Sequence, residues 1–225
     1  SSSYNGADVS NYSVTDQATT TANITAKALS VSGITASDKT YDGNAVATLN
    51  TGAVLYSGLI NGDTLTGTYS GVFNNANVGN GKTVTITSTY SGADAGNYTV
   101  TNQSSATGNI VPKVLTATAS ASNKTYDGGT TASTTLTFTG LVGSETLGQT
   151  VGSTFDNKNV GSNKTVTVNS ITLADGSGLA ANYSISAGQT TTANITAKSL
   201  TVSGITASNK ICLLYTSPSP RDVRS

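Results

Sequence analysis

Residues 91–100 read SGADAGNYTV, and this stretch decides the fold that the sequence predicts. Asp94, Gly96 and Tyr98 are spaced as in a tyrosine corner, where a tyrosine near the start of a strand hydrogen-bonds back to the chain upstream. Val100 follows two residues later, at the place where antibody domains carry a half-cystine. An aliphatic residue there suits a sandwich core without disulfides. The stretch therefore predicts an immunoglobulin-like β-sandwich, with a tyrosine that merely starts a strand as the alternative.

The same corner recurs on either side of this stretch. Residues 8–14 repeat it around Tyr12. A further copy keeps Tyr183 and Ile185 but has Leu179 at the position of the corner aspartate. We therefore expect the last of these turns to differ locally from the other two.

Apolar residues near the corners alternate with Thr, Ser or Asn, which is the period of a β-strand. Examples are Leu29 and Val31, Val84 and Ile86, and Val166 and Val168. Turn signals separate these runs at intervals of about ten residues, so seven or eight short strands, roughly, fit between successive corners. Ser and Thr supply 71 residues, and such polar β-branched and turn-forming residues favour a solvated β-protein.

The chain repeats with a period of 85 to 86 residues. TASDKTYDG at 35–43 returns as SASNKTYDG at 120–128, and TANITAK at 21–27 returns at 192–198. We predict complete repeats at 27–112 and 113–197, preceded by the C-terminal strands of a truncated repeat at 1–26 and followed by the first strand of another at 198–210. A period this long indicates separate domains rather than the short rungs of a solenoid. The predicted fold is all-β, with tandem immunoglobulin-like antiparallel β-sandwiches and almost no linker between them.

The last segment, 211–225, does not continue the repeat. Residues 212–222 read CLLYTSPSPRD and include the only Cys and two of the three Pro. The string resembles the read-through translation of a transposase sequencing adapter, and such scars carry no fold information. We predict an adapter-derived, disordered tail, with a natural Pro/Arg tail as the alternative.

Composition excludes several classes of function. The 225 residues include 11 basic and 11 acidic side chains, one Cys and no His. Common acid-base, nucleophilic and zinc chemistry therefore lack their usual residues. There is no basic excess for nucleic acid and no apolar run long enough to span a membrane. We expect no enzyme activity, no catalytic residue, no cofactor, no metal, no nucleic-acid partner and no membrane insertion.

Two Tyr-Asp-Gly triplets stand out among the polar motifs: Tyr41, Asp42 and Gly43, and Tyr126, Asp127 and Gly128. The favoured interpretation is a turn in which the aspartate caps backbone amides, the glycine adopts a positive φ and the tyrosine covers the sandwich edge. A ligand-presenting loop is the alternative. A calcium site at the aspartates and a Lys–Asn isopeptide crosslink from Lys39 or Lys124 are also left open.

Two acidic residues occupy equivalent places in the two complete repeats. Asp63 follows Gly62, and Glu145 follows Ser144. Both could form exposed ion pairs with repeated lysines such as Lys82 and Lys164, and such pairs contribute below about 1 kcal/mol each.

Several of these motifs together resemble a known family. KTYDG, the stretches at 71–84 and 152–166, SGADAGNYTV and the closing TANITAK are similar to the YDG-type tandem repeats of large secreted bacterial adhesins of the filamentous haemagglutinin kind. The likeness covers nearly all of residues 1–210. It implies a bacterial protein, secreted or at the cell surface, whose tandem modules form a stalk. Host or environmental glycans or surface proteins would be bound through other parts of such a protein.

The sequence thus predicts a non-enzymatic structural spacer. Repeats joined without flexible linkers should bend little and form a stiff rod. The alternative is a glycan-binding module, in which exposed tyrosines such as Tyr56, Tyr69 and Tyr90 stack on sugar rings.

Overall fold

A computed structural model describes residues 2–211 of the chain. These residues form β-strands and short connections with three single 3₁₀ turns, and within them there is no α-helix. The predicted all-β class is therefore confirmed. The 3₁₀ turns are Val9–Asn11, Ala95–Asn97 and Ala180–Asn182.

The first repeat is a sandwich of two sheets. Its strands are β1 Lys27–Ser32, β2 Thr35–Ala36, β3 Lys39–Thr40, β4 Val46–Ala47, β5 Leu49–Asn50, β6 Leu55–Ser57, β7 Thr66–Phe73, β8 Gly79–Ser91, β9 Tyr98–Thr101 and β10 Ser105–Val111. One sheet has the order β6-β1-β9, the other has the order β3-β10-β8-β7-β4, and β2 pairs with β5 alongside them. Most neighbours are antiparallel, as predicted, but β1 is parallel to β9 and β3 is parallel to β10.

The opening segment of this repeat changes sheets, which explains the two parallel pairs. It pairs with β9 as far as Ser30 and then, from Lys39 onward, with β10 of the other sheet. The bend between them lies at Gly33, which has a φ of +88°. A Cβ there would lie 2.1 Å from the carbonyl oxygen of Ala53, so the turn accepts only glycine.

The second repeat has a similar plan. Its strands are β11 Lys113–Val114, β12 Thr116–Ala121, β13 Lys124–Thr125, β14 Thr131–Ala132, β15 Thr134–Thr139, β16 Leu147–Phe155, β17 Gly161–Asp175, β18 Tyr183–Ser184 and β19 Thr190–Thr196. The main sheet is β13-β19-β17-β16-β14, opposite the pairs β12-β15 and β11-β18. Pro112 alone separates β10 of the first repeat from β11 of the second.

The alternation seen in the sequence places one face of each strand in the core. Leu29, Val84 and Val166 are at most 1 % exposed, while their strand neighbours face solvent. This burial is the main source of stability, since apolar area removed from water contributes about 25 cal/mol per Å². The two repeats have separate buried clusters, and a third cluster spans both of them.

The segments outside the two repeats are mostly unpaired. Residues 12–26 and 197–211 contain no strand. The predicted adapter-derived tail lies, apart from Ile211, outside the described residues. None of the helical turns between residues 2 and 211 is long and apolar enough to cross a bilayer.

Candidate functional site

Each Tyr-Asp-Gly triplet forms a tight turn closed by its aspartate. The Oδ1 atom of Asp42 accepts a hydrogen bond from the backbone amide of Asn44 at 3.1 Å. Gly43 follows with a φ of +81°, a conformation that a side chain would strain. The second triplet matches this geometry, because Asp127 accepts from the amide of Gly129 at 2.9 Å.

A lysine braces each of these turns. Lys39 Nζ lies 2.7 Å from Asp42 Oδ1 and also donates to the backbone carbonyls of Asn44 and Val46. Burial works against the charge on Asp42, but the hydrogen bond and charge of Lys39 hold the pKa of this aspartate below its usual value. The same aspartate oxygen therefore serves the lysine and the turn amide, which leaves less of it available to a cation.

The second turn has the same brace. Lys124 Nζ lies 2.8 Å from Asp127 Oδ1 and donates to the carbonyls of Gly129 and Thr131. Its hydrogen bond, with that of the Gly129 amide, lowers the pKa of Asp127. Among residues 2–211 no three His, Cys, Asp or Glu side chains come together as a metal cluster would require.

The side chain of Tyr41 packs against the second repeat. Its hydroxyl donates to Oε1 of Glu145 at 2.7 Å, and the hydroxyl of Tyr183 donates to Oε2 of the same carboxylate at 2.6 Å. The two rings pack edge to face, with centroids 5.4 Å apart and planes at 80°. Both tyrosines are 5 % exposed. The contacts of Tyr41 with Glu145 and Tyr183, together with those of Asn182 described below, form the joint between the two repeats.

Tyr183, which receives Tyr41, is the tyrosine of the last predicted corner, but its hydroxyl bonds the backbone 41 residues upstream and not a few residues upstream as in a tyrosine corner. The hydroxyl of Tyr183 accepts a hydrogen bond from the amide of Val142 at 3.0 Å, far upstream in the chain. In the first repeat the hydroxyl of Tyr98 accepts in the same way from the amide of Ile60 and donates to Asp63. Each corner therefore presents a tyrosine hydroxyl and a carboxylate side by side at the end of its sandwich.

The corner aspartate is replaced in the second repeat by another side chain. Asp94 Oδ2 accepts from the amide of Thr64 at 2.8 Å. In the second repeat Ser177 Oγ accepts from the equivalent amide of Thr146 at 2.8 Å, so the expected local difference is present. Gly96 lies in the 3₁₀ turn before Tyr98. Tyr12 follows the turn Val9–Asn11 and is 74 % exposed.

Asn182 forms the second half of the joint. It is 2 % exposed, accepts from the amide of Val78 at 2.9 Å and donates to the side-chain oxygen of Asn77 at 3.1 Å. Both of these partners belong to the first repeat. A buried amide with two partners across the joint fixes the rotation of one repeat about the other, because hydrogen bonds are directional.

Apolar side chains fill the space between these polar contacts. One buried cluster unites Phe73, Val84 and Ile110 of the first repeat with Leu115 and Tyr183 of the second. The core of the first repeat therefore continues across the joint into the second.

Burial in this joint raises the pKa of both tyrosines. Loss of solvent is the main cause for Tyr41, with the hydrogen bond and charge of Glu145 adding to it, and its pKa is raised to about 12. The pKa of Tyr183 is raised for the same reasons. Both phenols must be protonated in this arrangement, because each donates its hydroxyl proton in a hydrogen bond to Glu145.

The predicted lysine pairs of Asp63 and Glu145 are wrong. Glu145 instead receives the two tyrosine hydroxyls, and Asp63 receives that of Tyr98. Lys164 pairs with Asp156 at 2.9 Å, and Lys82 donates to Asn75 at 2.7 Å. Both carboxylates lie at the ends of their sandwiches, and these lysines brace a turn within their own repeat.

The three tyrosines of the glycan-binding alternative do lie together. The hydroxyls of Tyr56 and Tyr69 are 2.9 Å apart, and the ring of Tyr90 packs edge-on against Tyr69 at 6.3 Å. All three are half-buried against the cluster of Val31, Ile34 and Ile86. The pKa of Tyr69 is raised by this burial.

Sequence reasoning missed three residues of the joint, namely Glu145 as an acceptor, Asn77 and Asn182. Asn-Val recurs at 77–78 and 159–160, and Asn-Tyr recurs at 97–98 and 182–183. That recurrence of polar residues beside apolar ones was the available signal. It could not reveal that the two motifs meet each other in neighbouring repeats.

The YDG domain family matches the chain twice, over residues 25–107 and over residues 111–193. Each matched segment contains one Tyr-Asp-Gly turn and one corner tyrosine. No curated protein and no solved structure matches the chain.

Proposed function

Since this chain belongs to the YDG domain family and carries two of its domains in tandem, we propose that it is a stiff, non-catalytic spacer within a secreted or surface-bound bacterial adhesin. The observation that supports this proposal best is the joint of Tyr41, Glu145 and Tyr183. A side chain of one repeat is buried in the next repeat, and a single residue, Pro112, links the strands on either side.

The joint favours stiffness for two physical reasons. Bending would open the apolar cluster around Leu115 and expose buried ring surface of Tyr41 to water. It would also break the directional hydrogen bonds to Glu145 and Asn182. The buried side chains of these two residues would then lack their partners, which costs free energy. Flexible linkers, in contrast, let domains reorient freely.

Composition supports a role without chemistry. The chain has no His and one Cys, and the one carboxylate of the joint, that of Glu145, accepts a hydrogen bond from the neighbouring repeat. The secreted or surface location and the adhesin context rest on the resemblance of the repeat motifs. In such a protein, glycans or surface proteins are bound by other segments.

Glycan binding by the tyrosine cluster is the second candidate function. The proximity of Tyr56, Tyr69 and Tyr90 favours it. Against it, no tyrosine lies between Tyr126 and Tyr183 in the second repeat, so the cluster is not repeated. Reproducible binding of the full chain to a glycan array, abolished by Tyr90→Ala, would replace the spacer proposal with this one.

A distance measurement between the repeats tests the proposed spacer. Spin labels are placed on the full chain through Thr85→Cys and Thr165→Cys, both exposed strand positions, in a Cys212→Ser background. We expect a single narrow distance distribution by pulsed electron paramagnetic resonance. Tyr41→Ala should broaden it, while Tyr126→Ala, the same change in the second repeat, should not. A broad distribution in the unmutated chain would refute stiffness.

A further inference from the structure

The first repeat carries a copy of the surface that receives Tyr41, and part of this copy is uncovered: Ile60 is 50 % exposed and Asn97 is exposed, while Tyr98 is 8 % exposed. In the joint this surface consists of Val142, Glu145, Asn182 and Tyr183. Its counterparts in the first repeat are Ile60, Asp63, Asn97 and Tyr98, which make the same corner contacts among themselves. The two sets differ in their environment, because only the residues of the second repeat contact Tyr41, Asn77 and Val78.

An open cleft of about 370 Å³ lies over this copy. It is lined by Ile60, Asp63 and residues 96–98 of the corner and by residues 24–27. Asn97 is exposed, whereas its counterpart Asn182 is 2 % exposed under the contacts of the joint. The cleft therefore corresponds to the space at the corner of the second repeat that is filled by Tyr41 and the Asn-Val turn of the first repeat.

Residues 1–26 indicate what covers the cleft. They align without gaps with residues 87–112, the end of the first repeat, and keep its 3₁₀ turn at Val9–Asn11. Ile24 corresponds to Ile110 and to Ile195, each 1 % exposed in the core of its repeat. Ile24 itself is 102 % exposed. This segment thus has the sequence of a final strand and lacks the sandwich around it.

We propose that the cleft at Tyr98 is the receiving half of a second joint, and that its occupant is the Tyr-Asp-Gly turn of a YDG repeat that ends at Ala26. The incoming tyrosine donates to Asp63 Oδ1, since Tyr98 already donates to Oδ2. Asn97 binds the Asn-Val turn of the incoming repeat, as Asn182 binds Asn77 and Val78. Ile24 enters the core of the incoming repeat.

The far end of the second repeat carries the counterparts of the residues that the first repeat inserts into the joint. Tyr126 is half-buried there, and Val160, the counterpart of Val78, is 53 % exposed. Leu200 and Val202 correspond to the buried Leu29 and Val31 but are 88 % and 79 % exposed. A receiving surface at one end and a turn that fits it at the other make the joint heterologous, so the same contact can be repeated from one repeat to the next.

The inference rests on the proposed spacer function, because it extends the same joint to a neighbouring repeat. Its test adds a copy of residues 27–86 in front of Ser1 of the full chain, which completes one repeat with the chain's own residues 1–26. The readouts are hydrogen exchange of the Asn97 side-chain amide and the solvent exposure of the Ile24 methyl groups, both by NMR. The added Tyr41 copy is compared with its Tyr→Ala variant.

We expect Ile24 to become buried and exchange at Asn97 to slow by about tenfold or more, toward that of Asn182. The Tyr→Ala change in the added copy should restore fast exchange at Asn97 while Ile24 stays buried. If Ile24 becomes buried but Asn97 exchanges as before, or if Ile24 stays exposed, the inference is overturned. Failure of the spacer proposal is separate, since it would appear as a mobile joint at Tyr41.

Discussion

Tyr41 of the first repeat and Tyr183 of the second pack edge to face at 5.4 Å and share one carboxylate, that of Glu145. One tyrosine is anchored by a turn of its own repeat, and the other by the corner of the next. The stability of each repeat is therefore coupled to the placement of its neighbour. This coupling can be measured.

Removing the hydroxyl of Tyr41 should weaken the joint without creating a large cavity. We expect Tyr41→Phe to lower the free energy of unfolding by about 1.5–3 kcal/mol, the range for a hydrogen bond to a charged group. In a Glu145→Ala background the same change should cost less than about 0.5 kcal/mol. Urea unfolding of the four chains measures this cycle. Equal costs in both backgrounds would show that the hydroxyl does not act through Glu145.

The joint should also weaken at alkaline pH. The pKa of Tyr41 is raised from 10.0 to about 12 in the folded chain. Below about pH 10 the phenol is protonated in both states and its contribution is complete, but from pH 10 to 12 the unfolded chain loses its proton first, so stability falls as pH rises. Unfolding of the parent chain and of Tyr41→Phe across this range should show a shallower decline in the variant. Parallel curves would contradict the raised pKa.

Most of the fold follows from local patterns. The alternation around Val84 and Val166 predicts strands because burial on one face is a property of neighbouring residues. The direction of β1 relative to β9 could not be predicted, since a single strand's pattern carries no information on its partner. The turn at Asp42 is also predictable, because the aspartate caps a backbone amide only two residues further along the chain.

The joint lay beyond such reasoning for a different reason. The sequence indicates that Tyr41 covers the edge of a sandwich, but the pattern does not say which sandwich. Tyr126 has the same flanking residues, yet it is half-buried while Tyr41 is 5 % exposed. Only the repeat that follows distinguishes the two. Contacts of this kind depend on chain geometry over a whole repeat.

A matched pair of asparagines separates the joint from the corner itself. Asn182→Ala leaves the amide of Val78 without an acceptor and should lower the free energy of unfolding by about 1–3 kcal/mol. Asn97→Ala changes the same corner position where the side chain is exposed, and should stay within about 0.5 kcal/mol. Thermal and urea unfolding compare the two. Similar losses would mean that both asparagines act within their own corner.

The glycines of the two turns offer a second matched pair. Gly43 and Gly128 have φ of +81° and +84°, so alanine should cost about 1–2 kcal/mol of strain at either position. A Cβ at Gly43 would also lie 2.8 Å from Cγ1 of Val142, across the joint, whereas nothing lies within 4 Å at Gly128. We expect Gly43→Ala to cost more and to widen the spin-label distance distribution between the repeats. Equal costs with an unchanged distribution would place Gly43 away from the joint.

The isopeptide alternative at the Tyr-Asp-Gly turn predicts a change in mass that we do not expect. Lys39 Nζ lies 3.0 Å from Asn44 Oδ1, so the reacting groups are close. The same nitrogen is paired with Asp42, however, and an ammonium that donates its protons has no lone pair with which to attack an amide. In the second repeat Gly129 stands where Asn44 does, and Lys124 keeps the same contacts to Asp127 and to backbone carbonyls. The lysine is therefore explained by the turn alone. Intact mass spectrometry should give the mass calculated from the sequence, and the loss of one ammonia, absent in Asn44→Ala, would establish the crosslink.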